Sequence, residues 1–279
     1  MKTVESKDNP LFKKLIACRS PHLSKRNRLI KVEGLRHVAD LFASGVMPDD
    51  IFISNDVRGN NVLKQLLDSV NENVTGFLQE RVVMLPDYLF VRASELKTPQ
   101  GIMALVKLPV VSLAGLLNSC NSESKTIRLL FLEDVQDPGN VGTLIRTADA
   151  FAFDGVILSQ TTASLCNPKT ISASMGSLFH LPVIETDSTV EDDIVLLKNH
   201  DFTIIGSALQ GGRPVQELPP ESRIVLILGN EGKGLSEAAL ASVDDLIRIP
   251  MPGNAESLNV AAAGAVMMWE LVKQIPGIL

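Results

Sequence analysis

The sequence predicts an α/β protein with two domains, the second of which is built around a mostly parallel sheet. Three observations predict this fold class. Short apolar runs alternate with helical patterns along both halves of the chain, the chain has 279 residues, and 45% of these are hydrophobic while 21% are charged. That length accommodates two ordinary domains, and that composition is typical of globular rather than disordered proteins.

A compact α/β domain is predicted over residues 1–110. Its candidate strands are Leu29–Val32, Ile51–Ser54, Val82–Leu85 and Gly101–Leu108, and its candidate helices include Leu35–Ala43 and Val62–Val70. The alternation weakens after Pro109, and the stretch 118–125, NSCNSESK, is polar and typical of turns. We therefore expect a linker over residues 111–125.

A second domain is predicted over residues 126–279. Its candidate strands are Ile127–Glu133, Gly155–Ser159, Pro182–Glu185, Thr203–Ala208, Ile224–Leu228 and Leu246–Ile249. Helix-length segments separate most of these strands, which favours a mostly parallel sheet with helices on both faces. Ligands bind beyond the carboxyl ends of the strands in such sheets, so the loops that follow the strands are the candidates for function.

Cysteine and histidine are distributed in a way that argues against a metal site and a disulfide framework. They are Cys18, Cys120, Cys166, His22, His37, His180 and His200, with no metal-ligand spacing among them. The longest apolar stretch, Val260–Trp269, is too short to cross a membrane, and the N-terminus lacks the apolar core of a secretory signal. We expect a cytoplasmic location, or a plastid or mitochondrion if a transit peptide precedes this sequence.

The formal net charge of −6 argues weakly against a nucleic-acid partner, but the charge is unevenly distributed. Ten cations lie near the N-terminus: Lys2, Lys7, Lys13, Lys14, Arg19, Lys25, Arg26, Arg28, Lys31 and Arg36. In the same stretch the acidic residues are Glu5, Asp8 and Glu33. Such a basic arm can supply phosphate contacts, although a solvated helix face explains it equally well.

The first loop of chemical interest lies in Glu133–Phe153, EDVQDPGNVGTLIRTADAFAF. A strand ends, a Pro-Gly turn follows, and a helix is predicted to begin near Asn140. Its apolar stripe consists of Val141, Leu144, Ile145, Ala148 and Ala152. Arg146 lies about 140° around the helix from Val141, away from the middle of that stripe. It is therefore either a solvent-exposed arginine or a ligand contact.

The second loop lies in Ile224–Glu237, IVLILGNEGKGLSE. An apolar strand runs directly into Gly229, Gly232 and Gly234, which allow positive φ and close approach of a ligand to the backbone. The spacing is neither the GxxxxGK[ST] of a phosphate-binding loop nor the GxGxxG of a dinucleotide-binding fold. This disfavours an NTPase and a nucleotide-dependent oxidoreductase, and leaves a glycine-rich turn or another kind of ligand site.

The third loop lies in Ile249–Trp269, IPMPGNAESLNVAAAGAVMMW. A polar loop follows the strand, and a helix is predicted to begin near Ser257 or Leu258. Its strongest stripe consists of Leu258, Ala262, Ala265 and Trp269, but the helix is apolar nearly all round. We expect such a helix to be buried on most sides, within the fold and against a partner subunit. The alanines alone are also explained by helix propensity.

In this order, and each after a strand, the three loops resemble the signature motifs of the SpoU (TrmH) family of RNA 2′-O-ribose methyltransferases, which belongs to the knotted SPOUT superfamily. The match extends over Ile127–Val272, and the joint occurrence of NxGxxxRTA, LGNEGxGLS and IPMxGxxESLNV is highly specific. The first domain resembles the L30e-like substrate-binding domains that precede many of these catalytic domains. The segments LIKVEGLRHVADLF and TPQGIMALVKLP carry that second resemblance.

The resemblance implies methylation of structured RNA that depends on S-adenosylmethionine. The additional N-terminal domain favours ribosomal RNA as the substrate, with transfer RNA as an alternative. An RNA-binding or assembly factor without turnover is a further alternative. The resemblance also implies a deep trefoil knot in the C-terminal third, against the general rule that chains are unknotted, and a homodimer formed through the C-terminal domain.

Site residues follow from the resemblance, motif by motif. The methyl donor is expected among Leu228, Gly229, Asn230, Glu231, Gly232, Ile249, Met251, Ser257 and Leu258, held largely by backbone groups. Arg146 is expected to be the catalytic arginine, surrounded by Asn140, Glu231, Ser257 and Asn259. Because an arginine stays protonated under ordinary conditions, we expect Arg146 to stabilise the developing alkoxide and to clamp the neighbouring phosphate rather than to act as a base.

The segment Asn167–Val183, NPKTISASMGSLFHLPV, departs from the family at one position. Many relatives carry an arginine where this chain has Ser172, so an RNA-phosphate contact is either missing or shifted to Lys169. His180 directly precedes a buried strand, and a structural histidine is favoured there over a catalytic one.

Overall fold

The computed structural model describes residues 2–69, 76, 78, 80–120, 126–219 and 222–273. The chain forms two compact units. The first comprises Met1–Pro109 together with Cys166–Ser172, and the second comprises Val110–Leu165 and Ala173–Leu279. Residues 166–172 therefore group with the first unit, although the sequence prediction assigns them to the second domain.

The first unit contains a five-stranded sheet in the described residues, in the order β1-β4-β3-β5-β2. The elements are β1 (Lys2–Thr3), α1 (Pro10–Ala17), α2 (Pro21–Asn27), β2 (Leu29–Glu33), α3 (Leu35–Ala43), β3 (Asp50–Ser54), α4 (Val57–Ser69), β4 (Val82–Leu85), α5 (Asp87–Ala93) and β5 (Ile102–Lys107). β1 and β3 run parallel to β4, whereas β5 runs antiparallel to β2 and β3.

The predicted strands and α3 of this unit are confirmed to within a residue at each end. The helix predicted at Val62–Val70 begins earlier, at Val57, and its last predicted residue lies outside the described residues. β1 was not predicted, because a two-residue strand is too short for an alternating pattern. The likeness of this unit to L30e stays a prediction.

Several cations of the predicted basic arm are used inside the first unit. Lys31 is buried, and its Nζ donates a hydrogen bond to the carbonyl oxygen of Ala93 at 2.7 Å. Arg28 donates through Nη2 to the carbonyl oxygen of Pro109 at 2.6 Å. These side chains stabilise the fold and are not available for phosphate, so the basic arm is partly structural.

The rest of the chain is built around a seven-stranded sheet in the described residues, in the order β10-β12-β9-β11-β6-β7-β8. In chain order, the elements that follow β5 are α6 (Leu113–Ser119), β6 (Ile127–Leu132), α7 (Pro138–Ala150), β7 (Gly155–Leu158), α8 (Pro168–Ser174), a 3-10 turn (Ser177–Phe179), β8 (Val183–Glu185), α9 (Val190–Lys198), β9 (Thr203–Ser207), β10 (Arg213–Pro214), a second 3-10 turn (Val215–Glu217), β11 (Arg223–Leu228), α10 (Glu237–Ser242), β12 (Asp245–Arg248) and α11 (Val260–Lys273). Most of α8 groups with the first unit. Every strand pair is parallel, which confirms the predicted sheet.

One face of this sheet is covered by a helix where a linker was expected. Leu113, Leu116 and Leu117 of α6 pack in a buried cluster with Leu129 and Phe131 of β6. Apolar residues three and four positions apart give α6 one buried face, which favours a helix over an open linker. Residues 121–125 of the predicted linker lie outside the described residues.

The opposite face is covered by α7 and α11, which pack closely at Gly264. A Cβ atom at Gly264 would lie 2.5 Å from Cδ2 of Leu144 on α7 and 2.7 Å from Cδ1 of Leu228 at the end of β11. The glycine is therefore required for this helix to approach both neighbours. The trefoil knot stays a prediction.

Candidate functional site

Four loops emerge from one edge of the parallel sheet, at the carboxyl ends of β6, β9, β11 and β12. Leu132 and Leu228, the last residues of β6 and β11, are direct register partners. β9 lies between β11 and β12, and the N–H of Ala208 just after β9 donates to the carbonyl oxygen of Ile247 at 2.9 Å. This edge is where ligands bind in parallel α/β sheets.

Helix α7 begins two residues earlier than predicted, at Pro138. Asp137 caps it, because its side-chain oxygen accepts the N–H of Gly139 at 2.6 Å, and Pro138 occupies the first helical position, where its missing N–H costs nothing. The expected Pro-Gly turn is therefore the start of the helix. This start places Asn140 in the first turn, beside the positive end of the helix dipole.

Residues 229–236, here called the tied loop, are shaped by close backbone packing. A Cβ atom at Gly229 would lie 2.3 Å from the carbonyl carbon of Gly234, so residue 229 has to be glycine. Gly234 has φ +73°, in the left-handed region that glycine tolerates. Asn230 closes the loop, since its Oδ1 accepts the N–H groups of Gly232 at 2.9 Å and Lys233 at 3.1 Å.

The tied loop is also fastened to the segment between β6 and α7. Asn230 donates through Nδ2 to the carbonyl oxygen of Asp134 at 2.9 Å. At the other end of the loop, the N–H of Ser236 donates to the buried carboxylate of Glu133 at 3.1 Å. The side chain of Asn230 is thus occupied by hydrogen bonds within the protein. Any contact of this residue with the methyl donor has to be made by its backbone.

Glu231 accepts hydrogen bonds from three donors at the start of α7. Asn140 donates through Nδ2 at 3.0 Å, and the N–H groups of Gln136 and Asp137 each donate at 3.3 Å. Partial burial alone raises the pKa of the Glu231 carboxyl, but the hydrogen bonds from Asn140 and from backbone N–H groups together outweigh it. The pKa therefore lies below its ordinary value of 4.5, and Glu231 is held as a carboxylate.

Asn259 joins the third loop to the same group of side chains. It donates through Nδ2 to Oδ1 of Asn140 at 3.1 Å, and its own Oδ1 caps α11 by accepting the N–H of Ala261 at 2.8 Å. The chain of side chains Glu231–Asn140–Asn259 therefore links the three loops that the sequence motifs single out. Because Asn259 is the cap, α11 begins at Val260 rather than at Ser257 or Leu258.

Residues 252–259, here called the open loop, are all exposed. Within the described residues, the side chain of Ser257 makes no hydrogen bond, and the side chain of Leu258 is 40% exposed. Ile249 and Met251 before the loop are half-buried. The structure thus brings Asn259 into the network but leaves Ser257 and Leu258 at the surface of the single chain.

Arg146 is exposed on α7 and stands apart from this network. Across the part of the chain that the structure describes, it makes no hydrogen bond and no ion pair. It follows Asn140 by six residues, which places it about 9 Å further along the helix and about 120° around it. In one chain, therefore, Arg146 and the side chain of Asn140 face different directions.

The residues that the sequence assigns to the methyl-donor site differ in how much space lies beside them. Leu228 is 1% exposed and packs beneath Gly264, so its side chain belongs to the core. Gly232 is exposed, and a Cβ atom there would meet nothing nearer than Oδ1 of Asn230 at 3.7 Å. Space beside the backbone is therefore present at Gly232 and absent at Gly229.

Sequence reasoning missed the loop after β9. The strand was predicted, but its place between β11 and β12 depends on the strand order, which periodicity does not reveal. Ser207 ends β9 between the two strands whose loops are assigned to the methyl donor, and Leu209, two residues further on, is 60% exposed. The sequence LQGG just after a predicted strand was the available signal, since ligands bind after strands in such sheets.

Three side chains of the segment before β8 were singled out from the sequence. Nδ1 of His180 lies 2.7 Å from a carboxylate oxygen of Asp149 on α7, so the histidine has a partner within the protein. Ser172 and Lys169 are both exposed.

In the described ranges, no three histidine, cysteine, aspartate or glutamate side chains are grouped as metal ligands. None of the helices described is both long and apolar enough to span a bilayer.

The model of the SpoU rRNA methylase family matches residues 128–269. Those residues make up half of the chain and contain all three loops. The chain belongs to the SpoU rRNA methylase family. Membership confirms the family resemblance seen in the sequence motifs.

Two relatives in this family have known substrates in their names. The 23S rRNA (guanosine(2553)-2′-O)-methyltransferase RlmP of Bacillus subtilis (strain 168) is 33% identical over 273 residues, which cover 97% of this chain and 99% of that protein. A 23S rRNA (uridine(2479)-2′-O)-methyltransferase of Streptomyces viridochromogenes is 32% identical over 199 residues, covering 70% of this chain and 68% of that protein.

Solved structures share the whole fold. The AdoMet-bound rRNA methyltransferase from Sinorhizobium meliloti has a TM-score of 0.83 and 25% identity, with 98% of both chains covered. The SpoU methyltransferase AviRb from Streptomyces viridochromogenes, crystallised with AdoMet, has a TM-score of 0.82 and covers 95% of this chain and 98% of that chain. At 23% identity, AviRb supports the fold alone.

Proposed function

We propose that the protein transfers a methyl group from S-adenosylmethionine to a ribose 2′-hydroxyl of ribosomal RNA. One observation carries the proposal: the side chains of Glu231, Asn140 and Asn259 are hydrogen-bonded in series and join the three motif loops at the carboxyl edge of the sheet. Ribosomal RNA is supported by the names of the two 23S rRNA methyltransferases to which the chain is similar over two thirds of its length or more.

The residues at this edge fit an adenosyl donor. Leu209 and Leu258 offer exposed apolar side chains to a flat base, and Gly232 offers open backbone to polar groups. The Glu231 carboxylate and the ends of β9 and β12 complete the surroundings. The donor would supply an electrophilic methyl group on a sulfonium sulfur. The chain's task is to bind that donor and to orient the ribose towards it.

Arg146 supplies charge at the ribose. A 2′-hydroxyl is a weak nucleophile, and a guanidinium held beside it stabilises the negative charge that develops on its oxygen and binds the adjoining phosphate. We expect Arg146→Ala to lower kcat about 100- to 1000-fold while the Kd of the donor, measured by calorimetry, stays unchanged. Arg146→Lys keeps the charge without the planar fork and should recover part of the rate. A donor Kd that collapses with the rate would contradict this role.

The protein works as a homodimer through the exposed side of α7 and α11. Ala262, Val266 and Trp269 form an apolar stripe on α11 that is exposed in the single chain, and the ring of Trp269 packs at a tilt against that of Phe151, with 5.7 Å between centroids. Burying this stripe against a second copy meets the expectation for an apolar helix. It also lets Arg146 serve the site of the partner, since it faces away from Asn140 in its own chain.

Two experiments test the proposal at the level of substrate and assembly. The first maps 2′-O-methylation across total RNA with and without the protein: a change in 23S rRNA supports it, a change in tRNA alone contradicts the substrate, and no change with no donor binding indicates a factor without turnover. The second mixes inactive Arg146→Ala and Glu231→Ala subunits. Recovery of activity in the mixture supports a site shared between two copies, whereas an inactive mixture contradicts it.

A further inference from the structure

Asp134 adopts an unusual backbone conformation at the end of β6. Its φ is +55°, in the left-handed region that residues other than glycine rarely occupy. Aspartate tolerates this region better than most residues, but the conformation persists only where the surroundings hold it. The contacts of Asp134 therefore stabilise this backbone conformation.

The carboxylate of Asp134 bridges two loops. Its Oδ1 accepts Nε2 of Gln136 at 2.6 Å, and its Oδ2 accepts Nδ2 of Asn230 at 3.0 Å. Asn230 directly precedes Glu231 in the tied loop, and the N–H of Gln136 donates to the carboxylate of Glu231 at 3.3 Å. The two partners of Asp134 thus flank Glu231, one along the chain and one through a hydrogen bond.

We infer that Asp134 is a positioning residue for methyl transfer, whose carboxylate locks the tied loop against the start of α7 and thereby aims Glu231 and the backbone of Gly232. It touches neither donor nor RNA itself. Two hydrogen bonds to one ionised carboxylate are stronger than bonds between neutral groups, which suits a lock between two loops. The inference rests on the proposed donor site at the tied loop.

A competing explanation is that Asp134 serves only as a turn residue. Asp201 provides a matched control, because it is also an aspartate in the left-handed region, with φ +60°, but it precedes β9 at the opposite edge of the sheet. Over the described ranges its side chain makes no hydrogen bond, and it is exposed. Glycine at either position keeps the backbone conformation and removes the carboxylate.

The test compares Asp134→Gly with Asp201→Gly in the full-length protein, using S-adenosylmethionine and an unmethylated transcript of the rRNA segment that the mapping experiment identifies. For Asp134→Gly we expect kcat to fall about 10- to 100-fold and the donor Kd to rise several-fold, with the KM for RNA and the melting temperature nearly unchanged. For Asp201→Gly we expect all four quantities to match the parent protein. If Asp134 served only as a turn residue, glycine would preserve the turn, and kcat, the donor Kd and the KM for RNA would all stay at the parent values.

A second variant keeps the inference testable if Asp134→Gly does not fold. Asp134→Asn also tolerates the left-handed region but cannot accept hydrogen bonds on both sides, so its kcat and donor affinity should lie between the parent and the glycine variant. Parent-like kinetics in a folded Asp134→Gly or Asp134→Asn would overturn the inference. If Glu231→Ala also kept full activity, the proposed donor site itself would be wrong, so the two failures are distinguishable.

Discussion

The tied loop and the open loop follow β11 and β12, two strands separated by β9, and are stabilised in opposite ways. The tied loop is held by the side chains of Glu133 and Asp134 and by its own Asn230. Its Glu231 accepts three hydrogen bonds from the start of α7. The open loop is exposed from Pro252 to Asn259. Among the described residues, a side-chain hydrogen bond from Asn259 to Asn140 links this loop to the rest of the site.

This difference indicates a division of labour in the site. A loop already fixed in the free protein binds its ligand without a large loss of conformational entropy, whereas a loop with few contacts has to be ordered by what binds to it. We therefore expect the tied loop to set the position of the methyl donor, and the open loop to become ordered when donor, RNA or a partner subunit binds. Six variants, at five positions, test this comparison.

The largest effect is expected where the two loops meet, at Asn140. In Asn140→Asp a second carboxylate would face Glu231 in place of the amide that now donates to it at 3.0 Å. Repulsion between like charges separates the loops, and we expect kcat/KM to fall about 100-fold or more. Asn140→Ala, which removes the bond without adding charge, should lose less activity. Steady-state kinetics measure both variants, and equal losses would contradict a role for charge at this junction.

The next effect concerns stability and separates two glycines of the tied loop. In Gly229→Ala the new methyl group collides with the backbone of Gly234, so the free energy of unfolding should fall by about 1–3 kcal/mol. In Gly232→Ala the methyl group meets nothing closer than 3.7 Å, and stability should change by less than about 0.5 kcal/mol. Urea unfolding measures both. A weaker donor affinity in Gly232→Ala with normal stability would locate the donor beside that backbone.

A smaller effect is expected for Glu231→Gln, because the side chain is exposed and solvent weakens its interactions. The free energy of unfolding of the variant should lie less than about 1 kcal/mol below that of the parent at neutral pH. Since the pKa of Glu231 is lowered on folding, its stabilising contribution is present above the unfolded value of 4.5 and is lost as the pH falls through the folded pKa. Melting temperatures of parent and variant should therefore differ at neutral pH and converge in acid. A constant difference would show that the carboxylate charge is not what fastens the loop.

The smallest effect is expected in the open loop itself. A Cβ atom at Gly253 would meet no atom within 4 Å, so Gly253→Ala should leave stability within about 0.5 kcal/mol of the parent. Hydrogen exchange gives the complementary measurement. Amides of residues 253–258 should exchange rapidly without donor and slow down when it is added, while those of the tied loop are already protected. Equal protection of the two loops without donor would remove the distinction between them.

Much of the fold could be predicted from local pattern. The parallel strands are long apolar runs bounded by turns, and α3 has the residue bounds that its periodicity predicts. The errors fall where few residues carry the signal: β10 has two residues, and the start of α7 was misplaced because Pro138 begins a helix as readily as it forms a turn.

The sequence motifs named several residues of the candidate site together, and the roles of these residues in binding and catalysis stay predictions. Asn140, Glu231 and Asn259 were named together, and the structure joins them by hydrogen bonds. The hydrogen bond between Asn230 and Asp134 could not be predicted, because the two residues are 96 positions apart along the chain. No periodicity or spacing reports a contact over that separation.

The sequence by itself determined which segments are strands, where the glycine-rich loops follow them and which family the chain belongs to, because these properties are written in short local runs of residue types. Only the tertiary structure decided that β9 lies between β11 and β12, that Gly264 brings α11 against Leu144 and Leu228, and that a carboxylate at Asp134 fastens two loops. Strand order, close approach and hydrogen-bond partners arise from packing between distant segments, and packing is settled by the whole chain at once.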